Sequence, residues 1–381
     1  MTHLQPVSTY GGINTFKQRL LAAINKKDGE ETKPLYIATP LEPLPVGGEF
    51  ESKDINEKNQ ITGWCYNAKG HLRAVVWEEG HVKNLRLPKN ELSWGTTGNA
   101  INDHGNVAGQ SQKQTEQTLD AMIYINGNMR AIQPFEEEGH SVANGINENN
   151  EVVGWGAYQL VEGEEGSDEK KLIHHAFLWK AGKITDLEAN DEMASSYAND
   201  LNNDGQIVGH SEVKIEETYS QRAVLWNKNT QEMIVLDQRE RAIEESDAYA
   251  INASDPPQIV GKMLVYQNGP YVSHGFFWEG EQMVDLGTYG NCLFSVANDI
   301  NNKEIIAGSS YGYPCSDDPQ EYKAILWMFN QKELVNVDLN QLITDDHCHL
   351  STLVAINDAY FIAGNGFYRD KPRAFLLTPT Q

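Results

Sequence analysis

The sequence predicts an all-β fold, a seven-bladed β-propeller of four-stranded antiparallel blades. Three observations predict it. A phrase made of Ile-Asn or Leu-Asn, a tight turn and an apolar strand with glycine recurs seven times, about 45 to 55 residues apart, as in "GINENNEVVGW". A second phrase, "HAFLW" in its clearest copy, follows each of the first. A third, "ITDL" in the same unit, follows six of the second phrases, and its seventh copy stands near the N-terminus in "PLYIATP". Short strands with turn signals at this period match a propeller blade.

The elements follow in chain order. Residues 1–35 read as an N-terminal extension. Within it Phe16, Leu20, Leu21 and Ile24 fall at helical spacing, which predicts a short amphipathic helix lying on the domain. Residues 36–381 read as the propeller. In each unit strand A ends at an asparagine: Asn56, Asn102, Asn147, Asn202, Asn252, Asn301 and Asn357. A turn rich in Asn, Asp and Gly leads to strand B, which carries Gly63, Gly109, Gly154, Gly209, Gly261, Gly308 or Gly364. Strand C ends in Trp77, Tyr124, Trp179, Trp226, Trp278 or Trp327, and in Leu377 in the last unit. Strand D carries Asp-Leu or a relative of it. The chain opens on a strand D and stops after a strand C, so the N-terminal strand is expected to complete the C-terminal blade. That closes the ring non-covalently and removes exposed sheet edges.

The phrases "GINENNEVVGW…HHAFLWKAGKITDL" and "HGFFWEGEQMVDLG" resemble the HAF repeat family, named for its His-Ala-Phe triplet. The triplet itself is intact at His175, Ala176 and Phe177. The resemblance spans roughly residues 36 to 379. It implies a bacterial, repeat-built propeller, often extracellular, with no agreed enzymatic activity.

Charge narrows the partners. Thirty basic against 54 acidic residues give a formal charge of −24. Such a chain repels nucleic acid and anionic membranes and favours a partner with a basic surface. No apolar run approaches the roughly 20 residues of a membrane-spanning helix. The N-terminus lacks the apolar core of a Sec signal peptide, so the expected compartment is the cytoplasm, or the outside by another route, as for a secreted effector.

Two registers look chemical but read as structural. The position before the Ala or Gly of strand C holds Arg73, Asp120, His175, Arg222, His274, Lys323 and Arg373. These lie one per blade and are expected to pair with backbone or carboxylate groups between blades. Asn99, Asn144, Asn199 and Asn298 share another register with Tyr249, and are expected to satisfy backbone groups near the axis.

The long B–C and D–A connections all emerge on one face, which marks the binding face of a repeat protein. That face is acidic through Glu136, Glu137, Glu164, Glu165, Asp317, Asp318, Asp345 and Asp346. Its candidate aromatic anchors are Trp94, Tyr158, Tyr289, Tyr311 and Tyr313. The densest chemistry is "TDDHCHL", where His347, Cys348 and His349 are candidate ligands for Zn²⁺ or Ca²⁺. No other cofactor is expected. Free thiols compete with that metal reading, as does a disulfide of Cys292 with Cys315 or of Cys315 with Cys348. No phosphate loop, dinucleotide fingerprint or nucleophile elbow occurs. The expected function is therefore a non-enzymatic scaffold that binds a protein or other macromolecule through the acidic face. The alternative is a hydrolase or lyase with its active site at the channel mouth, with or without a metal. Convergence of imidazoles and carboxylates from different blades separates the two.

Overall fold

The computed structural model describes residues 14–24, 33–45, 48–86, 93–113, 118–133, 135, 139–162, 170–187, 194–227, 232–239, 245–267, 269–313 and 322–381. Seven four-stranded antiparallel sheets form the predicted seven-bladed propeller. Blades 1 to 6 cover residues 50–84, 93–132, 141–186, 196–235, 246–285 and 294–338, each in the order A–B–C–D. Blade 7 is residues 348–379 closed by the strand Tyr36–Pro40, which pairs antiparallel with Lys371–Pro379 from Tyr36↔Pro379 to Pro40↔Phe375. The ring thus closes as the offset repeats require.

Local chemistry explains the hairpins. Several C–D turns place two consecutive residues at positive φ, as at Ala181 and Gly182 (49° and 88°) and Asn126 and Gly127 (52° and 80°). That is the twist a two-residue hairpin needs. The A–B turns use the repeat asparagine instead. Asn202 Oδ1 accepts the amides of Asp204 and Gln206, both at 3.1 Å. Its Nδ2 then donates to the Asn252 carbonyl of the next blade at 3.0 Å. The same bond recurs at every interface, from Asn56 to Asn102 (2.8 Å) round to Asn357 and back to Asn56 (3.1 Å). Seven buried asparagines therefore form a closed hydrogen-bonded ring. Asn202→Ala strands two turn amides and one carbonyl, at about 1–3 kcal/mol for each group left without a partner. The expected result is a fall of about 3 kcal/mol in unfolding free energy with an unchanged denaturant slope. A loss below about 0.5 kcal/mol would reduce the ring to decoration.

Side chains pack between blades. Seven buried clusters lie one at each interface. Between blades 3 and 4, Val153, Leu178, Ala198, Ile207 and Trp226 meet. Trp226 and Trp327 are fully buried, and each such side chain contributes on the order of 2–3 kcal/mol through loss of apolar surface to water. The predicted helix spans Asn14–Ile24. Its Phe16 and Leu20 join the cluster between blades 6 and 7, and Phe16 packs against Tyr36 and Tyr360 at 5.4 and 5.0 Å. Arg19 donates to the Thr380 carbonyl at 2.7 Å, so the extension clamps the closing blade.

One expectation needs correction. At both of its histidine copies the polar position of strand C bonds within its own blade, not between blades. His175 Nδ1 meets Asp186 at 2.9 Å and His274 Nδ1 meets Asp285 at 2.9 Å. Each partner is the aspartate of the Asp-Leu phrase on the neighbouring strand D, two residues out of line with its histidine. Blades 3 and 5 thus each carry both halves of one structural pair.

Candidate active site

Strand A is innermost, and strands A of adjacent blades line the axis. The mouth beside the A–B turns is lined by backbone-capping side chains. Asp358 N donates to Glu57, Glu57 N to Asp103 and Asp103 N to Glu148, at 2.8–2.9 Å. Deeper, Asp54, Asp200 and Asp299 each bridge two blades. Asp200 accepts Leu201 N at 2.8 Å and Ile251 N of the next blade at 3.1 Å. Asp299 accepts Ile300 N and Ile356 N at 2.8 and 2.7 Å. Burial outweighs those donors: it pushes Asp200 up to about 7 and Asp299 up to about 6, with Asp299 adding repulsion on Asp200. Asp54 rises well above its ordinary value for the same reason. A carboxyl whose folded value is raised binds more protons folded than unfolded, so stability falls as pH rises from about 4 to about 7. Melting temperature is expected to drop across that window, with a shallower slope in Asp200→Asn. A melting temperature that climbs over the same window contradicts this assignment.

The opposite mouth carries the long connections. There blades 3, 4 and 5 bring together groups that are not part of the repeat. Tyr197, on strand A of blade 4 (Ser196–Leu201), faces His210 across the pair with strand B (Gln206–Ile215), and the rings stack at 4.7 Å. His210 Nδ1 donates to Asp247 Oδ1 of blade 5 at 2.8 Å, and Asn199 Nδ2 donates to the same oxygen at 2.9 Å. Asp247 is buried, whereas the His210 side chain keeps 16% of its surface exposed. Tyr249 hydrogen-bonds Asp247, and burial followed by the charge of Asp247 raises its phenol far above the ordinary range. Lys262 pairs with Asp247 across strands and sets its ammonium 5.6 Å over the Tyr249 ring. On the blade 3 side, His174 bonds the Tyr197 hydroxyl at 3.0 Å and meets Trp155 edge-on at 5.0 Å. Burial, and then His140, lower the His174 value, which favours the neutral imidazole beside the Tyr197 hydroxyl.

Beside this cluster lies a recess of about 230 Å³ lined by Gln221, Glu245, Lys262, Leu264, Ser273 and Tyr311, among others. Lys262 belongs to both. Burial, and then Tyr322, raise the Tyr311 phenol, so it holds its proton at neutral pH. Lys262 and the protonated phenol of Tyr311 line the recess, and the oriented imidazole of His210 lies beside it, linked through Asp247 to Lys262 on the neighbouring strand. That is the equipment of proton transfer at carbon.

The sequence-predicted residues divide. Tyr311 lines the recess, and Tyr313 stands 67% exposed. Tyr158 is half-buried, stacked at 3.9 Å on His175, and Tyr289 is half-buried with its hydroxyl accepting from Gln341 at 2.8 Å. Both are packing. Asp345 caps the His347 amide at 2.9 Å, and Asp346 is exposed. His347 is exposed and Cys348 buried, and burial followed by Asp345 pushes the Cys348 thiol up to about 12, which disfavours the thiolate a metal needs. Among the described residues no group of three His, Cys, Asp or Glu is arranged to hold a metal. Cys292 is disulfide-bonded, and Cys65 and Cys348 are free, which removes the pairing of Cys315 with Cys348. Glu136, Glu137, Glu164, Glu165, Asp317, Asp318 and the side chain of Trp94 lie outside the described residues. The register asparagines bond the next blade's carbonyls as expected, for example Asn144 to Ala198 at 2.9 Å.

Sequence reasoning missed His210, Asp247, Tyr197 and Lys262. A signal existed. The residue after the strand B glycine is Trp64, Gln110, Trp155, His210, Lys262, Ser309 or Asn365, so it varies where the flanks repeat. Variation inside an invariant frame marks positions released from packing.

Fold and site together define a seven-bladed propeller with an acid–base cluster at one mouth. Its architecture is similar to that of an oligogalacturonate lyase from Vibrio parahaemolyticus, with TM-score 0.56 and 10% identity over 91% of this chain and 98% of that one. TolB from Acinetobacter baumannii (TM-score 0.42, 9% identity, 97% and 91% covered) and a PL25 ulvan lyase (0.43, 12%, 78% and 83%) are too distant to carry an argument. No family model and no curated protein matches the chain. The expected non-enzymatic scaffold is corrected on two grounds. It rested on the premise that nothing here assembles a catalytic group, and the mouth of the long connections brings imidazoles, a carboxylate and an ammonium together from separate blades. The full-length structural counterpart is itself an enzyme, so the architecture is no argument against catalysis.

Proposed function

We propose that the protein is a lyase that cleaves a uronate-containing glycan by β-elimination at the channel mouth of the long connections, an anionic ligand received locally by Lys262 in place of the basic-surfaced partner that the formal charge of −24 led us to expect. The observation that carries the reading is the His210–Asp247 pair set beside Lys262 and the recess. Asp247 holds Nδ1–H of His210, leaving Nε2 as the base. Nε2 takes the proton from the carbon next to the sugar carboxylate, and Lys262 neutralises that carboxylate, which acidifies the proton. The electron pair left on carbon forms the double bond and expels the glycosidic oxygen. Tyr311 gives that oxygen its phenolic proton.

Elimination is favoured over hydrolysis by the carboxylates. Glycosidases of the usual type need two carboxyl groups facing one bond. Asp247 is engaged by His210 and Asn199, and Glu212 by the Ser195 amide at 2.8 Å. Glu245 is the single carboxylate among the described lining residues of the recess. The activity named for the Vibrio parahaemolyticus protein is in keeping with this reading.

The test uses the full-length protein with polygalacturonate, alginate and xylan. Ultraviolet absorbance of the unsaturated product and new reducing ends are followed together. Both are expected to rise in step on a uronate polymer. Reducing ends without absorbance would replace elimination by hydrolysis. Neither signal on any polymer overturns the proposal.

A further inference from the structure

Tyr311 lines the recess, and further tyrosines stand at the ends of strands in blades 5 and 6 that carry or adjoin its lining residues. On blade 6 Phe294, Tyr311 and Tyr322 stand opposite one another on strands A, B and C, at the ends of Phe294–Ile300, Ile305–Tyr311 and Tyr322–Asn330. Their rings stack in a row, with centroids 5.4 and 4.6 Å apart and planes within 29°. On blade 5 Tyr266 and Tyr271 close strands B and C and meet edge-on at 5.4 Å. The outer members are open to solvent, Tyr322 at 40% and Tyr266 at 60%, with Tyr313 at 67% just beyond Tyr311. Three of the seven large exposed hydrophobic side chains among the described residues are thus tyrosines of blades 5 and 6, and one of them, Tyr322, stacks on Tyr311 of the recess lining.

We infer that this strip binds the sugar units of a glycan chain beyond the bond that is cut. The inference rests on the lyase reading and names how its polymer is held. A pyranose has an apolar C–H face and a hydroxyl rim. A tyrosine matches both, with a flat apolar ring and a polar tip. Stacking on Tyr311 fixes Tyr322 before any ligand arrives, so little side-chain freedom is lost on binding. Gln221 and Ser273 supply polar lining at the near end, and Lys262 supplies the positive charge a uronate seeks.

Tyr322→Ala and Tyr266→Ala are made in the full-length chain. Affinity electrophoresis in gels containing polygalacturonate or alginate gives the polymer dissociation constant. KM and kcat are measured on the polymer and on its trisaccharide. Each variant is expected to weaken polymer binding and raise polymer KM about five- to tenfold, the effect of one lost aromatic contact. Trisaccharide kinetics and melting temperature are expected to stay at wild-type values in Tyr266→Ala, the variant away from Tyr311. Wild-type polymer affinity in both variants overturns the inference while cleavage by the parent leaves the lyase reading standing. A parent that is retarded by polymer but never cleaves it sinks the lyase reading and leaves the strip. A parent that neither binds nor cleaves sinks both.

Discussion

His210→Gln is expected to lower turnover of the uronate polymer by about 10²–10⁴-fold, the usual contribution of a positioned general base, with little change in melting temperature. His210 is not a core residue: its side chain keeps contact with solvent and its ring lies flat on Tyr197. Glutamine fills similar space and can still reach Asp247, but it has no basic nitrogen. Asp247→Asn tests the other half. The carboxylate accepts from both His210 and Asn199. An amide there can keep its one oxygen toward His210 and Asn199, but it lacks the negative charge that stabilises the imidazolium formed when His210 takes the proton. The asparagine variant should therefore lose activity to a similar degree while still binding the polymer gel. Activity of either variant within about threefold of wild type would remove the pair from the mechanism.

Gly209→Ala is the change expected to harm the fold most, by about 4 kcal/mol or more, which places it in the severe tail of single substitutions. A Cβ on Gly209 would sit 2.0 Å from the Tyr197 carbonyl oxygen. That oxygen is backbone, in a strand A that already bulges between Ala198 and Asp200, and a side-chain rotation cannot move it. Five other strand B glycines, among them Gly154 and Gly261, meet the equivalent oxygen at 1.9–2.0 Å. Gly364 does not. Blade 7 has a second bulge in strand A, between Leu350 and Thr352, and there the close approach passes to Gly366, 2.1 Å from the His349 carbonyl, while Gly364 clears Thr352 by 3.1 Å. The chemical denaturation midpoint should thus collapse for Gly209→Ala and Gly366→Ala and shift only mildly for Gly364→Ala. Equal damage at Gly364 would show that the glycines serve something other than this contact.

The blade 7 exception shows how far a repeat can be read. The seven Ile-Asn or Leu-Asn phrases announce strand, turn and strand, because an asparagine that bonds two amides of its own turn needs only local sequence. The ring that the same asparagines build needs their Nδ2 atoms to face carbonyls 45 to 56 residues away, and 301 away at the closing interface, and nothing local reports that. The strand C histidines were visible as a register, but their partners on strand D were assigned to the wrong interface. The acid–base pair was not visible, because His210 and Asp247 lie 37 residues apart in different blades and each looks like a departure from the repeat.

By itself the sequence determined the strand period, the seven-fold count and the closure by an N-terminal strand. These follow from turn chemistry, alternation and glycine spacing, all properties of neighbouring residues. Only the tertiary structure decided which unrepeated side chains share a mouth. Closing seven blades into a ring brings Tyr197, His210, Asp247 and Lys262 within bonding reach, and that proximity belongs to the ring and not to any one repeat.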